Sequence, residues 1–250
     1  RSIGGRAAAI RNHSSSGAAG MLRLRYGVDS RVVSGDSFLL NPWCRRWSSA
    51  ERVGMVKSLE RHLVATAPAG GFSTAPLSVA ERAAFRSAMI AERVAVGFCP
   101  IHTVLLTPPS ANPKLGKSGT YGLSLAAAGL SGVWQCCRYR TTGCESVCLE
   151  SAGKGGLDSV QRGRIWKTRL LGSHPELFLR ALCDELRGVL ARRPVDTLGR
   201  RYGRLPVRLN VLSDLPYEKF IPAMFTDPSL KACQFYDYSK NPGRAADLPA

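Results

Sequence analysis

The chain has 250 residues, enough for one sizeable domain or a domain with an appendage, and 44% hydrophobic against 21% charged content excludes a wholly disordered polymer. No apolar run approaches the roughly 18 residues of a membrane span, so no membrane partner is expected. Lys and Arg number 35 against 18 Asp and Glu, a net charge of +17, which favours nucleic acid or a phosphate-bearing substrate as partner without locating a site.

The basic excess is spread over both halves, +8 over residues 1–105 and +9 over 106–250, and arginine supplies 27 of the 35 basic residues. Arginine suits bidentate phosphate binding, and an arginine-rich coding bias accounts for the same count. Nothing in the composition fixes an oligomeric state.

In chain order, residues 1–20 are rich in Arg, Ala, Gly and Ser, with the first methionine at Met21. They read as a disordered or non-native end without the apolar core of a secretory signal, which points to a cytoplasmic protein. Residues 21–106 read as a small helical appendage. Ser48-Ser49-Ala50-Glu51 is a capping box opening a helix with Val53, Val56, Leu59 and Leu63 on one face. Ser78-Val79-Ala80-Glu81 opens a second with Phe85, Met89 and Val94. His62 is expected as a surface residue of the first.

The run Thr107-Pro108-Pro109-Ser110-Ala111-Asn112-Pro113 admits no regular element and marks a boundary before an α/β domain over 107–250. There the pattern predicts a strand over 120–125, a helix over 157–171 and a helix from Pro175 to the Pro194 stop. A strand over 206–212, a short helix over 217–224 and a strand over 233–238 follow. Strands alternating with helices indicate a parallel sheet, either open or as a partial (βα) barrel. Such sheets carry function at the C-terminal ends of their strands, which places the cysteine loop, Ser213 and Asp214, and Asp237, Tyr238 and Lys240 on one rim.

Four of the 8 cysteines, Cys44, Cys99, Cys183 and Cys233, are scattered and read as small buried hydrophobes of a reducing compartment. The other four crowd into Cys136–Cys148. That clustering favours a metal or iron–sulfur site over disulfides. Cys137, Cys144 and Cys148 are the candidate ligands, with Cys136 a candidate fourth, although adjacent side chains diverge and make a poor zinc knuckle. Three thiolates leave one position open, as in a four-iron cluster with an accessible iron or a catalytic zinc.

After the cysteines, Lys154, Gly155 and Gly156 precede a helix, a place where backbone N–H groups can hold an anion, although no Walker A sequence is present and loop flexibility explains the glycines as well. Arg162, Arg164, Lys167 and Arg169 follow, and Arg200 and Arg201 belong to a second basic stretch. A solvated face is the ordinary reading of such runs, and contact with a nucleic-acid backbone the sharper one.

Several motifs in order then carry a resemblance: Asn112-Pro113-Lys114-Leu115-Gly116-Lys117, Thr120-Tyr121-Gly122-Leu123-Ser124-Leu125, Cys137 with Gly143-Cys144 and Cys148-Leu149, and Ala152-Gly153-Lys154-Gly155-Gly156. Arg162, Arg164, Lys167-Thr168-Arg169, Arg208-Leu209-Asn210, Ser213-Asp214 and Phe235-Tyr236-Asp237-Tyr238-Ser239-Lys240-Asn241-Pro242 complete them. Over roughly residues 105–244 the chain resembles the phage and bacterial gene product eighty-eight family. The resemblance implies a phage-associated protein more than a reaction, and it sets Cys136 apart as a local addition. Family members continue past the Tyr-Asp-Tyr strand, which implies an incomplete barrel or a piece of a longer chain. The cysteine loop is also similar, in position and number, to that of radical S-adenosylmethionine enzymes, whose usual Cys-x3-Cys-x2-Cys spacing it lacks.

Two functions follow as expectations. One is an iron–sulfur enzyme of radical type, with Cys137, Cys144 and Cys148 on the cluster, Asp214, Asp237 and Lys240 as catalytic groups, and Ser213 facing S-adenosylmethionine or substrate. The other is a zinc-stabilised nucleic-acid-binding protein without catalysis.

Overall fold

The computed structural model describes residues 56–101, 103–111, 118–150, 152–193 and 203–244. The expected disorder of residues 1–20, the capping box at 48–51, the 112–117 motif, and Arg200 and Arg201 lie outside them.

Strand β1 (Lys57–Ser58) is followed at once by helix α1 (Leu59–Thr66), whose N-cap is Ser58, its Oγ accepting from the Arg61 N–H at 3.3 Å. Val56, expected on the face of a helix opened at 48–51, lies outside α1, which begins at Leu59. Tertiary pairing overrides propensity here: the Lys57 N–H donates to Val133 O at 2.9 Å, and β1 runs parallel to β3 (Trp134–Gln135). Helix α2 (Val79–Ala95) carries the capping box read from the sequence, with the Glu81 N–H on Ser78 Oγ and the Ser78 N–H on Glu81 Oε2. It buries Phe85 and Met89, while Val94 stays half exposed.

The central sheet is parallel in the order β2 (Tyr121–Gly122), β4 (Leu205–Arg208), β5 (Cys233–Phe235), with Tyr121 opposite Val207 and Leu205 opposite Cys233. The strands are shorter than expected, but pairing continues past them: the Leu123 N–H reaches Arg208 O and the Tyr236 N–H reaches Val207 O. Among the described residues the sheet is three strands wide and open.

Helix α3 (Thr142–Ser146) lies in the cysteine loop. Helices α4 (Asp158–Ser173) and α5 (Pro175–Ala191) then cross back, with Pro175 at the first helical position, where a missing N–H costs nothing. The expected helix over 217–224 is two short pieces, α6 (Tyr217–Phe220) and α7 (Ala223–Thr226), because Pro222 supplies no N–H to continue the first. Helix α2 packs against α4 and α5, and one apolar core runs from Leu59, Leu63 and Met89 through Trp166, Leu170 and Leu186 to Val207 and Phe220. The fold is α/β with an N-terminal helical region.

His62 is half-buried rather than a free surface residue. Its ring stacks on Trp134 at 4.5 Å, and Nε2 lies 2.9 Å from Gly172 O. Lys167 and Glu185 fasten the entry to the sheet: Lys167 Nζ donates to Leu105 O at 2.6 Å, and Glu185 accepts from the Leu105 and Leu106 N–H groups. Burial draws Lys167 down to about 8. Among the described residues no helix is long and apolar enough to cross a membrane.

Candidate functional site: a cavity walled by three thiols

In a parallel sheet every strand delivers its following loop to the same edge. The loops after β4 and β5 meet the cysteine segment there, around a cavity of about 560 Å³ lined by Cys137, Cys144, Cys148, Arg208, Asn210, Ser213, Asp214, Tyr238 and Lys240, among others. A second cavity of about 270 Å³ shares the three cysteines, Arg140, Leu212 and Lys240. The cysteine segment does not follow β2 directly, since residues 123–133 and β3 intervene. The Ala126 N–H, held by Thr168 Oγ1 at 2.8 Å, anchors that stretch to α4.

The side chains of Cys136 and Cys137 diverge. Cys136 is fully buried in the core beside Thr168, where burial pushes its thiol well above the ordinary 9.0, and it lines neither cavity. Cys137 faces both, with its N–H on Gln135 Oε1 and its thiol donating to Leu212 O at 3.2 Å. Burial raises this thiol as well.

Cys144 has the opposite electrostatics. The Thr141 hydroxyl donates to its sulfur at 3.2 Å and accepts from its N–H at 3.2 Å, and the Lys240 ammonium, which lines the same cavities, favours the thiolate. Thr141 first and Lys240 second bring the thiol down to about 7. Lys240 is raised in turn, chiefly by Cys144, with Cys137 and Cys148 acting in the same direction.

Asp214 lines the cavity as a strut. Its Oδ1 accepts from Ser239 Oγ at 2.7 Å and from Arg244 Nη1 at 3.4 Å, and its Oδ2 accepts from the Lys240 N–H at 3.0 Å. Ser213 also lines it, but donates its hydroxyl to Asn210 Oδ1 at 2.8 Å. Asn210 shapes the loop: Oδ1 also takes the Leu215 N–H, while Nδ2 donates to Leu215 O and Asp237 Oδ2.

Asp237, expected among the catalytic groups, is outside the cavity lining. It accepts from Arg244 Nη1 at 3.0 Å, and Arg244 also forks onto Glu218 with Nε and Nη2. Lys154, Gly155 and Gly156 also line neither cavity. They form a 3₁₀ turn, Gly153–Gly156, in which the Gly155 N–H is spent on Ala152 O and Gly155 O accepts from Arg164.

The basic run of α4 turns to the protein itself. Arg162 caps the end of α2 through Gly97 O at 3.0 Å and pairs with Asp158, Arg164 holds Glu150 O and Gly155 O, and Arg169 pairs with Glu92 at 2.8 Å. Thr141, Asn210 and Arg244 are not among the site residues read from the sequence, and Arg208 enters there only as a member of the second basic stretch and of the Arg208-Leu209-Asn210 motif. Thr141 had a signal, a hydroxyl residue three positions before Cys144, which is N-cap spacing. The others are placed by tertiary packing.

The family model described as Gene product 88 matches residues 105–250. The chain belongs to the gene product 88 family. That match takes in all three strands of the central sheet, the three cavity thiols and Lys240, whereas β1, α1 and α2 precede it. No curated protein and no solved structure matches the chain.

Proposed function

We propose that this gene product 88 domain holds an iron–sulfur cluster on Cys137, Cys144 and Cys148. The observation that carries the reading is that these three thiols, and not Cys136, line the same two cavities at the functional edge of a parallel sheet. The donor set fits: soft thiolates are the ligands of such clusters. Thr141 and Lys240 favour thiolate at Cys144, the Lys240 cation offsets anionic charge, and a coordinated thiol is deprotonated outright even where burial raises it, as at Cys137.

Iron is favoured over zinc by the number of ligands: a structural zinc takes four, Cys136 lines neither cavity, and a four-iron cluster on three thiolates keeps one iron open. Among the described residues no three His, Cys, Asp or Glu side chains stand grouped to hold a metal ion, so the reading requires the three thiols to close on the cluster when it binds. When bound on three thiolates it supplies an open iron for electron transfer or Lewis-acid chemistry. The role of this chain's own groups is to hold it: Lys240 sets the charge beside it, and Asp214 positions the Lys240 backbone.

For S-adenosylmethionine, the support is the number and position of the cysteines alone. The alternative of a zinc-stabilised nucleic-acid binder has less behind it, because Arg162, Arg164, Lys167 and Arg169 bond to protein carbonyls and carboxylates. Anaerobic reconstitution followed by metal analysis tests the proposal. Stoichiometric zinc with no iron, or no metal at all, would sink it.

A further inference from the structure

The larger cavity has a side that the thiols do not use. Arg208, the last residue of β4, lines it with its guanidinium fixed twice over: Nε donates to Asn210 O at 3.1 Å, and the planar group lies 4.8 Å from the centre of the Tyr238 ring. No described residue takes its two terminal nitrogens. Tyr238 lines the same cavity, is braced edge-on by Tyr236 at 6.4 Å, and is still 70% exposed.

The charge around this pair is mainly positive. Arg140, Arg208 and Lys240 line the cavity, and the acid facing them, Asp214, has both oxygens engaged by Ser239, Lys240 N–H and Arg244. A fixed guanidinium edge suits a phosphate, and an exposed, braced ring suits an aromatic base. About 560 Å³ is within the usual range for a small ligand.

We infer that the Arg208–Tyr238 side of the cavity binds a mononucleotide, its phosphate on Arg208 and its base stacked on Tyr238. A free nucleotide is favoured over a polynucleotide because a strand needs a basic track beyond the cavity, and the α4 arginines that would supply one are turned inward. The inference rests on this cavity being the functional site, and not on the identity of the metal.

The test is calorimetric titration of the full chain, cluster-free and reconstituted, at low salt. The ligands are the four ribonucleoside monophosphates, their nucleosides, inorganic phosphate and a single-stranded oligothymidylate. At least one monophosphate should bind about tenfold or more tightly than its nucleoside or phosphate alone. Arg208→Gln should lose about tenfold for the monophosphate and little for the nucleoside. Tyr238→Ala should lose about tenfold for the monophosphate and nothing for phosphate, with Tyr238→Phe restoring binding.

No monophosphate binding below about 1 mM would overturn the inference, as would wild-type affinity in both Arg208→Gln and Tyr238→Ala, or an oligothymidylate about a hundredfold tighter than every mononucleotide. The cluster-free titration separates this from the metal proposal: a monophosphate bound below about 1 mM by the cluster-free chain, with the same dependence on Arg208 and Tyr238, stands whether or not the chain takes up iron.

Discussion

Cys136 and Cys137 are neighbours in the chain and stand on opposite sides of it, Cys136 sealed in the core against Thr168 and Cys137 on the cavity with its thiol on Leu212 O. Substitution should therefore separate stability from metal binding. Cys136→Ala is expected to lower stability by about 1 kcal/mol while leaving iron content unchanged. Cys137→Ala should lose iron with little effect on the melting temperature of the metal-free protein. Calorimetry with iron analysis on both variants checks this, and iron loss in Cys136→Ala would contradict it.

Gly172 sits inside α4 with the Trp134 indole in the space a Cβ would fill, and His62 stacked on that indole. Helix propensity alone makes Gly172→Ala stabilising by about 1 kcal/mol. The clash with a ring already held on its other side should win and cost about 2 kcal/mol. A denaturant midpoint above wild type would show that Trp134 yields.

Arg244 neutralises three buried or half-buried carboxylates, Asp214, Glu218 and Asp237. Arg244→Ala leaves them uncompensated and should cost about 3 kcal/mol. Asp237→Asn, which keeps the Asn210 and Arg244 neighbours with one charge fewer, should leave iron content at the wild-type level. An Asp237→Asn variant that folds normally but loses iron would restore the direct role once expected for this residue.

Stability should fall on the alkaline side. Burial raises Cys183 to about 12 and Cys233 to about 11 from an ordinary 9.0, so the folded state keeps protons that the unfolded state releases. Their contribution is complete below pH 9 and is lost as pH rises towards 11 to 12. Lys167, lowered to about 8 from 10.5, acts oppositely, because between those values the unfolded state binds the extra proton. One ammonium does not cancel two thiols. Urea melts between pH 9 and 10.5 should show declining stability, with a decline shallower by about 1.4 kcal/mol per pH unit in Cys183→Ala. Parallel slopes in the two proteins would contradict it.

Local signals with their own chemistry were legible in the sequence. The Ser78–Glu81 box, Pro175 at the start of α5 and the three strand positions all read directly, and parallel topology then carried the loops after β4 and β5 to the cysteines. What escaped depended on partners that only the folded chain brings together. Two-residue strands such as Lys57–Ser58 have no period to detect, and pairing with Trp134–Gln135 creates them. The inward turn of Arg162 is set by the Gly97 carbonyl at the end of another helix, which a run of charges cannot reveal. Position after β5 places Asp237 on the rim, and its carboxylate is bonded to Arg244 and Asn210 outside the cavity lining.

The most direct measurement of the central claim is the electron paramagnetic resonance and visible spectrum of the anaerobically reconstituted, dithionite-reduced chain, taken for wild type, Cys144→Ala and Cys136→Ala. A four-iron signal present in wild type and Cys136→Ala and lost in Cys144→Ala is the predicted result. A colourless wild-type protein, or a cluster that survives Cys144→Ala unchanged, would contradict it.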